Sequence, residues 1–262
     1  VMLARNINVT VTKNIVVDHN KFSNITEPGV MLARNINVTV TKNLFVNFKT
    51  DAVRVEGGYN YGDWLFDGNK FINDTKSGYN ALYIQSVSGA KDGKIQSITI
   101  TNNTFKNVGA KDDTTANTTY LGAVSIRTYQ EQGLTLNINY NVFENCYSYL
   151  TLRNNGATSD TYSASVNYNK FVGIPDDVYH RNCRPGSNDN AASNPPLTIM
   201  DYNLFIDDNG GVITDLSVYS DKMADLAETS NKNNYATKKN MKKWFVLWAL
   251  ISIWLLMLNG QA

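Results

Sequence analysis

Short runs in which apolar and polar residues alternate recur along the chain, and each is followed by an asparagine with a phenylalanine two positions on. The runs are clearest in Val38-Thr-Val40, Ile98-Thr-Ile100 and Leu136-Asn-Ile138. The pairs are Asn20/Phe22, Asn43/Phe45, Asn69/Phe71, Asn103/Phe105, Asn141/Phe143, Asn169/Phe171 and Asn203/Phe205. Alternation with period two predicts a strand with one buried face. A second alternating run follows each phenylalanine: AVRVE at 52–56, ALYIQ at 81–85, AVSIR at 123–127, YLTLR at 149–153 and DVYHR at 177–181. Val53 and Val55, Leu82 and Ile84, Val124 and Ile126, and Leu150 and Leu152 are then expected on the inner face, with Arg54, Tyr83, Ser125 and Thr151 outside. Two strands per repeat would alternate around a closed coil.

Successive phenylalanines lie 23, 26, 34, 38, 28 and 34 residues apart, so a minimal coil of about two dozen residues takes insertions at its corners, as stacked repeats do. Asparagine is a poor strand former. At the same corner of every coil it can take a left-handed or bridge conformation, and its amide can bond the asparagine one coil away. The phenylalanines would stack in the bore at the ~4.8 Å spacing of adjacent strands.

This pattern resembles the right-handed parallel β-helix of the pectate-lyase-like superfamily, from about Val30 to Asp215. A leucine-rich repeat has a related consensus and period. Here, however, the apolar positions are β-branched or aromatic more than leucine, and a second β-type run stands where a helix would be. The fold class expected is all-β: a right-handed parallel β-helix (solenoid) of about seven coils with a short C-terminal capping helix and an apolar tail. Residues 30–215 form the β-helix, residues 1–29 an incomplete or duplicated first coil, and residues 216–240 a capping helix and polar linker. Ser220 followed by DKMADLAE supplies the N-cap and apolar side of that helix.

Both ends depart from the pattern. VMLARNINVTVTKN occurs at 1–14 and again at 30–43, whereas all other repeats agree only in pattern. The spacing from Phe22 to Val30 equals that from Phe45 to Val53, which makes the second copy the one continuing the ladder; the first does not fit one coil cleanly. Residues 241–262 read as a secretory signal peptide at the wrong end: Met241, two lysines, an uncharged stretch of 15 residues from Trp244 to Leu258, and small residues at Gly260 and Ala262. The stretch is short for a membrane span, so contact with membrane is expected only through this segment. A secreted or cell-surface location is expected if the signal belongs to this chain.

Charge changes little. With 24 basic and 23 acidic residues the formal charge is +1, and no basic stripe points to nucleic acid. Cys146 and Cys183 show no metal-binding spacing and read as buried or free thiols.

Candidate chemistry lies on the outward positions of the second strands. There Glu56, Gln85, Arg127, Arg153, Arg181 and Asp215 align, with three arginines on consecutive coils. Guanidinium forks suit carboxylates or sulfates of an acidic glycan, although neighbouring carboxylates could equally satisfy them. Tyr83, Tyr129 and Tyr179, on or just beyond the same strands, complete the expected ligand-binding set with Arg127, Arg153 and Arg181, since aromatic rings stack on sugars. The segment YLTLRNNG after NVFENC resembles alginate- and chondroitin-lyase-like β-helices over about one coil, and the coil pattern throughout resembles β-helix regions of bacterial surface proteins. The first resemblance implies a polysaccharide lyase, with Arg127 and Arg153 as candidate neutraliser and base, and with Ca²⁺ as a possible cofactor. No carboxylate cluster for a metal is evident, and otherwise no cofactor is expected. Three functions stay open, in this order: a monomeric carbohydrate-binding or adhesin domain taking acidic polysaccharide, a polysaccharide lyase or glycoside hydrolase, and a structural stalk.

Overall fold

The computed structural model describes residues 14–33, 36–55, 61–76, 79–86, 95–109, 122–128, 134–146, 149–154, 163–174, 183–185, 197–199 and 201–213. These form strands and turns only, in three sheets in which every strand pair is parallel. The chain visits the sheets in a fixed rotation, so each strand pairs with the strand one circuit earlier and one circuit later. The first sheet comprises Ile15–Asp18, Ile36–Thr41, Tyr61–Asp67, Ile95–Thr101, Thr135–Asn139, Ser163–Asn167 and Leu197–Ile199. The second comprises Lys21–Ser23, Leu44–Val46, Lys70–Ile72, Thr104–Lys106, Val142–Glu144, Lys170–Ile174 and Leu204–Asp207. The third comprises Val30–Leu32, Val53–Val55, Leu82–Ser86, Val124–Thr128, Leu150–Asn154 and Cys183–Pro185. The arrangement is compatible with a parallel β-solenoid.

Each circuit therefore carries three strands, one more than the alternation predicted. The Asn-x-Phe segment is itself a short strand, too brief to show a period in the sequence. Its phenylalanine points into the core and lies opposite its counterparts in register, as Phe71, Phe105 and Phe143 do. Six consecutive ring pairs, from Phe22–Phe45 to Phe171–Phe205, stack with centroids 4.6–5.1 Å apart and planes within 11° of parallel. The separation is the strand spacing itself, so ring stacking and backbone pairing favour the same register.

The asparagines form a ladder beside this stack. The Oδ1 atom of Asn103 accepts the backbone N–H of Asn69 (2.8 Å) and its side-chain Nδ2 (3.0 Å), and Asn103 repeats both donations to Asn141 at 2.9 and 3.0 Å. The same pair of bonds links every step from Asn20 to Asn203. Each Nδ2 also donates back into the first sheet, for instance from Asn103 to the Phe66 carbonyl (2.9 Å). Asparagine stands here because one side chain accepts twice and donates twice at a corner where backbone groups leave the ladder. The left-handed conformation expected of it belongs instead to the residue before it: His19, Lys42, Gly68, Asn102, Tyr140, Tyr168 and Tyr202 all have φ between 52° and 65°.

Residues 15–23, within the segment read as an incomplete or duplicated first coil, pair into the stack: Ile15–Asp18 lies in register with Val38–Thr41, and Lys21–Ser23 with Leu44–Val46. The two identical segments end in different places. Asn43 enters the buried ladder, whereas Asn14 lies level with Asn37, whose Nδ2 it accepts at 3.0 Å. The residues C-terminal to each copy make the difference: Asn14 precedes IVVDHNKF, which carries its own alternating strand and its own Asn-x-Phe pair.

In the third sheet the strand paired with Leu150–Leu152 is Cys183–Pro185, with Arg184 opposite Thr151; DVYHR at 177–181 lies outside the described residues. The capping helix, the linker and the 241–262 segment lie outside the described residues.

Cys146 is a buried free thiol whose Sγ lies 3.6 Å from the carbonyls of Phe105 and Glu144. Burial pushes its pKa from 9.0 up to about 12. Because the thiol ionises more readily unfolded, its contribution to stability is complete below pH ~9 and declines as pH rises toward 12. In a Cys183→Ser background, a maleimide at pH 8 is expected to leave native protein unlabelled and to label it only in denaturant. Rapid labelling without denaturant would contradict the buried placement.

Candidate functional site

The left-handed corner preceding the asparagine ladder favours glycine or asparagine, and Gly68 and Asn102 meet that preference. The last three circuits place tyrosine there instead: Tyr140, Tyr168 and Tyr202, with φ of 60°, 59° and 59°. A bulky residue in this region carries strain of order 1 kcal/mol. The rings compensate one another, since Tyr140–Tyr168 and Tyr168–Tyr202 stack at 5.1 and 5.0 Å with interplanar angles of 5°. Such pairs contribute roughly 0.5–1.5 kcal/mol each, which offsets the strain without exceeding it clearly. The corner can thus hold tyrosine, but does not need it. His19 and Lys42 show that other large side chains are accepted there too.

The three tyrosines are 52%, 36% and 46% exposed, and the middle one is lowest because its neighbours cover both ring faces. The row therefore presents a comb of ring edges and phenol ends, about 10 Å from first ring to last (5.1 plus 5.0 Å). Beside it on the first-sheet side stand Asn139, Asn167 and, beyond the strand Leu197–Ile199, Asp201, themselves linked: Asn139 Oδ1 accepts the Asn167 N–H at 3.0 Å and Asn167 Oδ1 accepts the Asp201 N–H at 2.7 Å. Beside it on the second sheet stand Val142, Lys170 and Leu204, aligned in register. Each of three circuits thus offers a phenol and a side chain with an aliphatic stem, beside a polar chain in which the Asn167 amide already bonds at both ends, to the Asp201 N–H and to Ser165 Oγ at 2.8 Å. The phenol ends can hydrogen-bond hydroxyls, and the stems can cover C–H surface.

The residues singled out in the sequence fare differently. Arg127 and Arg153 are Cα partners on neighbouring strands of the third sheet, preceded in the same column by Gln85. Arg181, Tyr129 and Tyr179 lie outside the described residues; the described strand that pairs with Leu150–Leu152 in the third sheet is Cys183–Pro185. Tyr83 points away from the core but is 4% exposed. Its hydroxyl donates to Gln85 Oε1 at 2.7 Å, and the Arg54 guanidinium lies 5.5 Å from its ring centroid while pairing with Asp51 at 3.8 Å. Tyr83 is a packed member of a polar cluster, so its ring is not presented for a ligand. Among the described residues no three of His, Cys, Asp and Glu come together as a metal site. Comparison with protein-family models, curated proteins and solved structures finds no match.

The tyrosine row has a plain sequence signal in Tyr-Asn-x-Phe, present in the last three repeats. It is masked by its neighbours, because the asparagine and phenylalanine beside it report packing.

Proposed function

We propose that the protein is a right-handed parallel β-helix of about seven coils that acts at the cell surface or in secreted form. It binds a carbohydrate polymer along the Tyr140–Tyr168–Tyr202 row and catalyses no reaction there. The observation that carries this reading is an exposed aromatic row at the equivalent left-handed position of three consecutive circuits, where tyrosine is the strained choice. Strain of this kind gathers where a surface is used. A linear glycan laid along the stack meets a similar set of groups once per circuit, so weak contacts add through avidity. Affinity is therefore expected to rise with oligosaccharide length until the chain spans about 10 Å, and to stay negligible for a monosaccharide.

A second reading takes Arg127 and Arg153, paired in register, as sites for carboxylates of an acidic polysaccharide, by extension as neutraliser and base of a uronate lyase with or without Ca²⁺. Two arginines at partnered positions of neighbouring strands, about 5 Å apart at the backbone, favour an anion between them. A glycan screen covering neutral polymers, alginate, pectate and sulfated glycans separates the two. Binding that Tyr168→Asn removes and salt leaves unchanged supports the row. Binding to acidic glycans that weakens with salt, and that Arg127→Ala with Arg153→Ala removes, supports the arginines. Release of an unsaturated sugar, read by absorbance, would make the protein a lyase. No binding at all would leave a structural stalk.

A further inference from the structure

The sequence holds six Asn-x-Ser/Thr triplets, beginning at Asn8, Asn24, Asn37, Asn73, Asn102 and Asn117; Asn8 and Asn117 lie outside the described residues. The other four are in very different positions. Asn73 is buried, and its Oδ1 accepts the Phe48 N–H at 3.0 Å. Asn37 spends both ends of its amide, accepting from Asp63 N–H at 2.9 Å and donating to Asn14 at 3.0 Å. Asn102 is exposed, but its Nδ2 donates to Asp67 at 2.8 Å. The middle residue of its triplet is the ladder residue Asn103, and its Thr104 is locked in a strand by a bond to the Asn69 carbonyl. In all three, enzymatic attachment would require the stack to open.

Asn24 differs on each count. It follows the strand Lys21–Ser23, projects from a corner at φ 53°, and is exposed; its side chain makes no hydrogen bond among the described residues. Thr26 is exposed as well, in an irregular stretch from 24 to 29 that Ile25 anchors against the core. An oligosaccharyltransferase must reach both the amide and the hydroxyl two residues on, and here both are outside the folded stack.

We propose that Asn24 is an N-glycosylation site open in the folded protein. The donor is a lipid-pyrophosphate-linked oligosaccharide. Asn24 Nδ2 forms a bond to the anomeric carbon and gives up one proton; the anomeric C–O bond breaks, and its electron pair leaves with the lipid pyrophosphate. The proposal rests on the extracellular part of the proposed function but not on the tyrosine row. Lys21–Ser23 stands at the end of its sheet among the described residues, so a hydrophilic oligosaccharide on Asn24 would shield that end from pairing with another chain.

The test incubates the purified, folded chain with a purified single-subunit oligosaccharyltransferase and its lipid-linked donor, then maps peptides by mass spectrometry. A synthetic peptide of residues 20–30 serves as the unfolded comparison. The expected result is one oligosaccharide on Asn24 in both, and none on Asn37, Asn73 or Asn102 of the folded chain. Thr26→Ala removes the modification, Thr26→Ser retains it, and Tyr168→Asn leaves it unchanged. A folded chain unmodified at Asn24 overturns the proposal, whether or not the peptide is accepted. Equal modification at Asn73 or Asn102 overturns the claim that exposure selects the site. Neither outcome bears on glycan binding at the tyrosines, which is read separately.

Discussion

Replacing Phe105 with alanine is expected to destabilise the protein by about 3–5 kcal/mol. Phe105 is fully buried at the middle of the stack, 5.1 Å from Phe71 and 4.7 Å from Phe143. Its neighbours are fixed by the backbone ladder above and below, so they cannot close over the space that a lost ring leaves. The same change at Phe22, the first ring of the described stack with a single phenylalanine neighbour, should cost distinctly less. Urea unfolding measures both: the midpoint should fall strongly for Phe105→Ala at an unchanged slope. A loss below about 1 kcal/mol at Phe105 would mean that the ring is not held as described.

The asparagine ladder should be nearly as sensitive. Asn103→Ala takes the acceptor from both the N–H and the Nδ2 of Asn69, and it removes the donor serving the Phe66 and Thr101 carbonyls. Leaving buried donors unpaired costs roughly 1–3 kcal/mol each, so a loss of about 2–4 kcal/mol is expected after partial relaxation. Asn103→Asp separates the two roles of the amide. It keeps the acceptor facing Asn69 but turns a second oxygen toward the Phe66 carbonyl and Asn141 Oδ1, without a proton to share. Burial among acceptors raises the folded pKa of such a carboxyl. The variant should therefore be most stable at low pH, where the carboxyl is protonated in both states, and should lose stability as pH rises through the unfolded and then the folded pKa. An Asn103→Asp protein as stable at pH 7 as at pH 3 would contradict the ladder geometry.

Much of the core was legible because packing imposes a period. The alternation in Ile98-Thr-Ile100 and Val124-Ser-Ile126 places the inward residues correctly, and the recurring Asn-x-Phe foretells both the buried stack and the amide ladder. The third strand was not legible, since three residues such as Thr104–Lys106 are too few to establish alternation. Of the left-handed or bridge conformation expected for the asparagine, the left-handed one falls one position earlier, because the ladder holds asparagine in place and leaves its predecessor to turn the chain. The surface was harder still. Alternation says that Tyr83 faces outward but nothing about what covers it, and its contact with Arg54 depends on a neighbouring strand 29 residues away in sequence. The third-sheet strand Cys183–Pro185 carries no alternating apolar pattern that the sequence could have signalled, although it continues the ladder from Leu150–Leu152.

The tyrosine row is where fold and function separate most cleanly, because its residues can be changed without touching the core. The triple variant Tyr140→Asn, Tyr168→Asn, Tyr202→Asn replaces strained residues with one suited to φ near 60°, so its stability should stay within about 1 kcal/mol of the original. The most direct measurement is a calorimetric titration of the original protein and this variant with the polymeric glycan that the screen selects, at low and high salt. The row predicts saturable binding by the original protein, loss of at least tenfold in affinity for the variant, and little change with salt. Equal affinity for the two proteins, both still folded, would contradict the assignment of the tyrosine row as the binding surface.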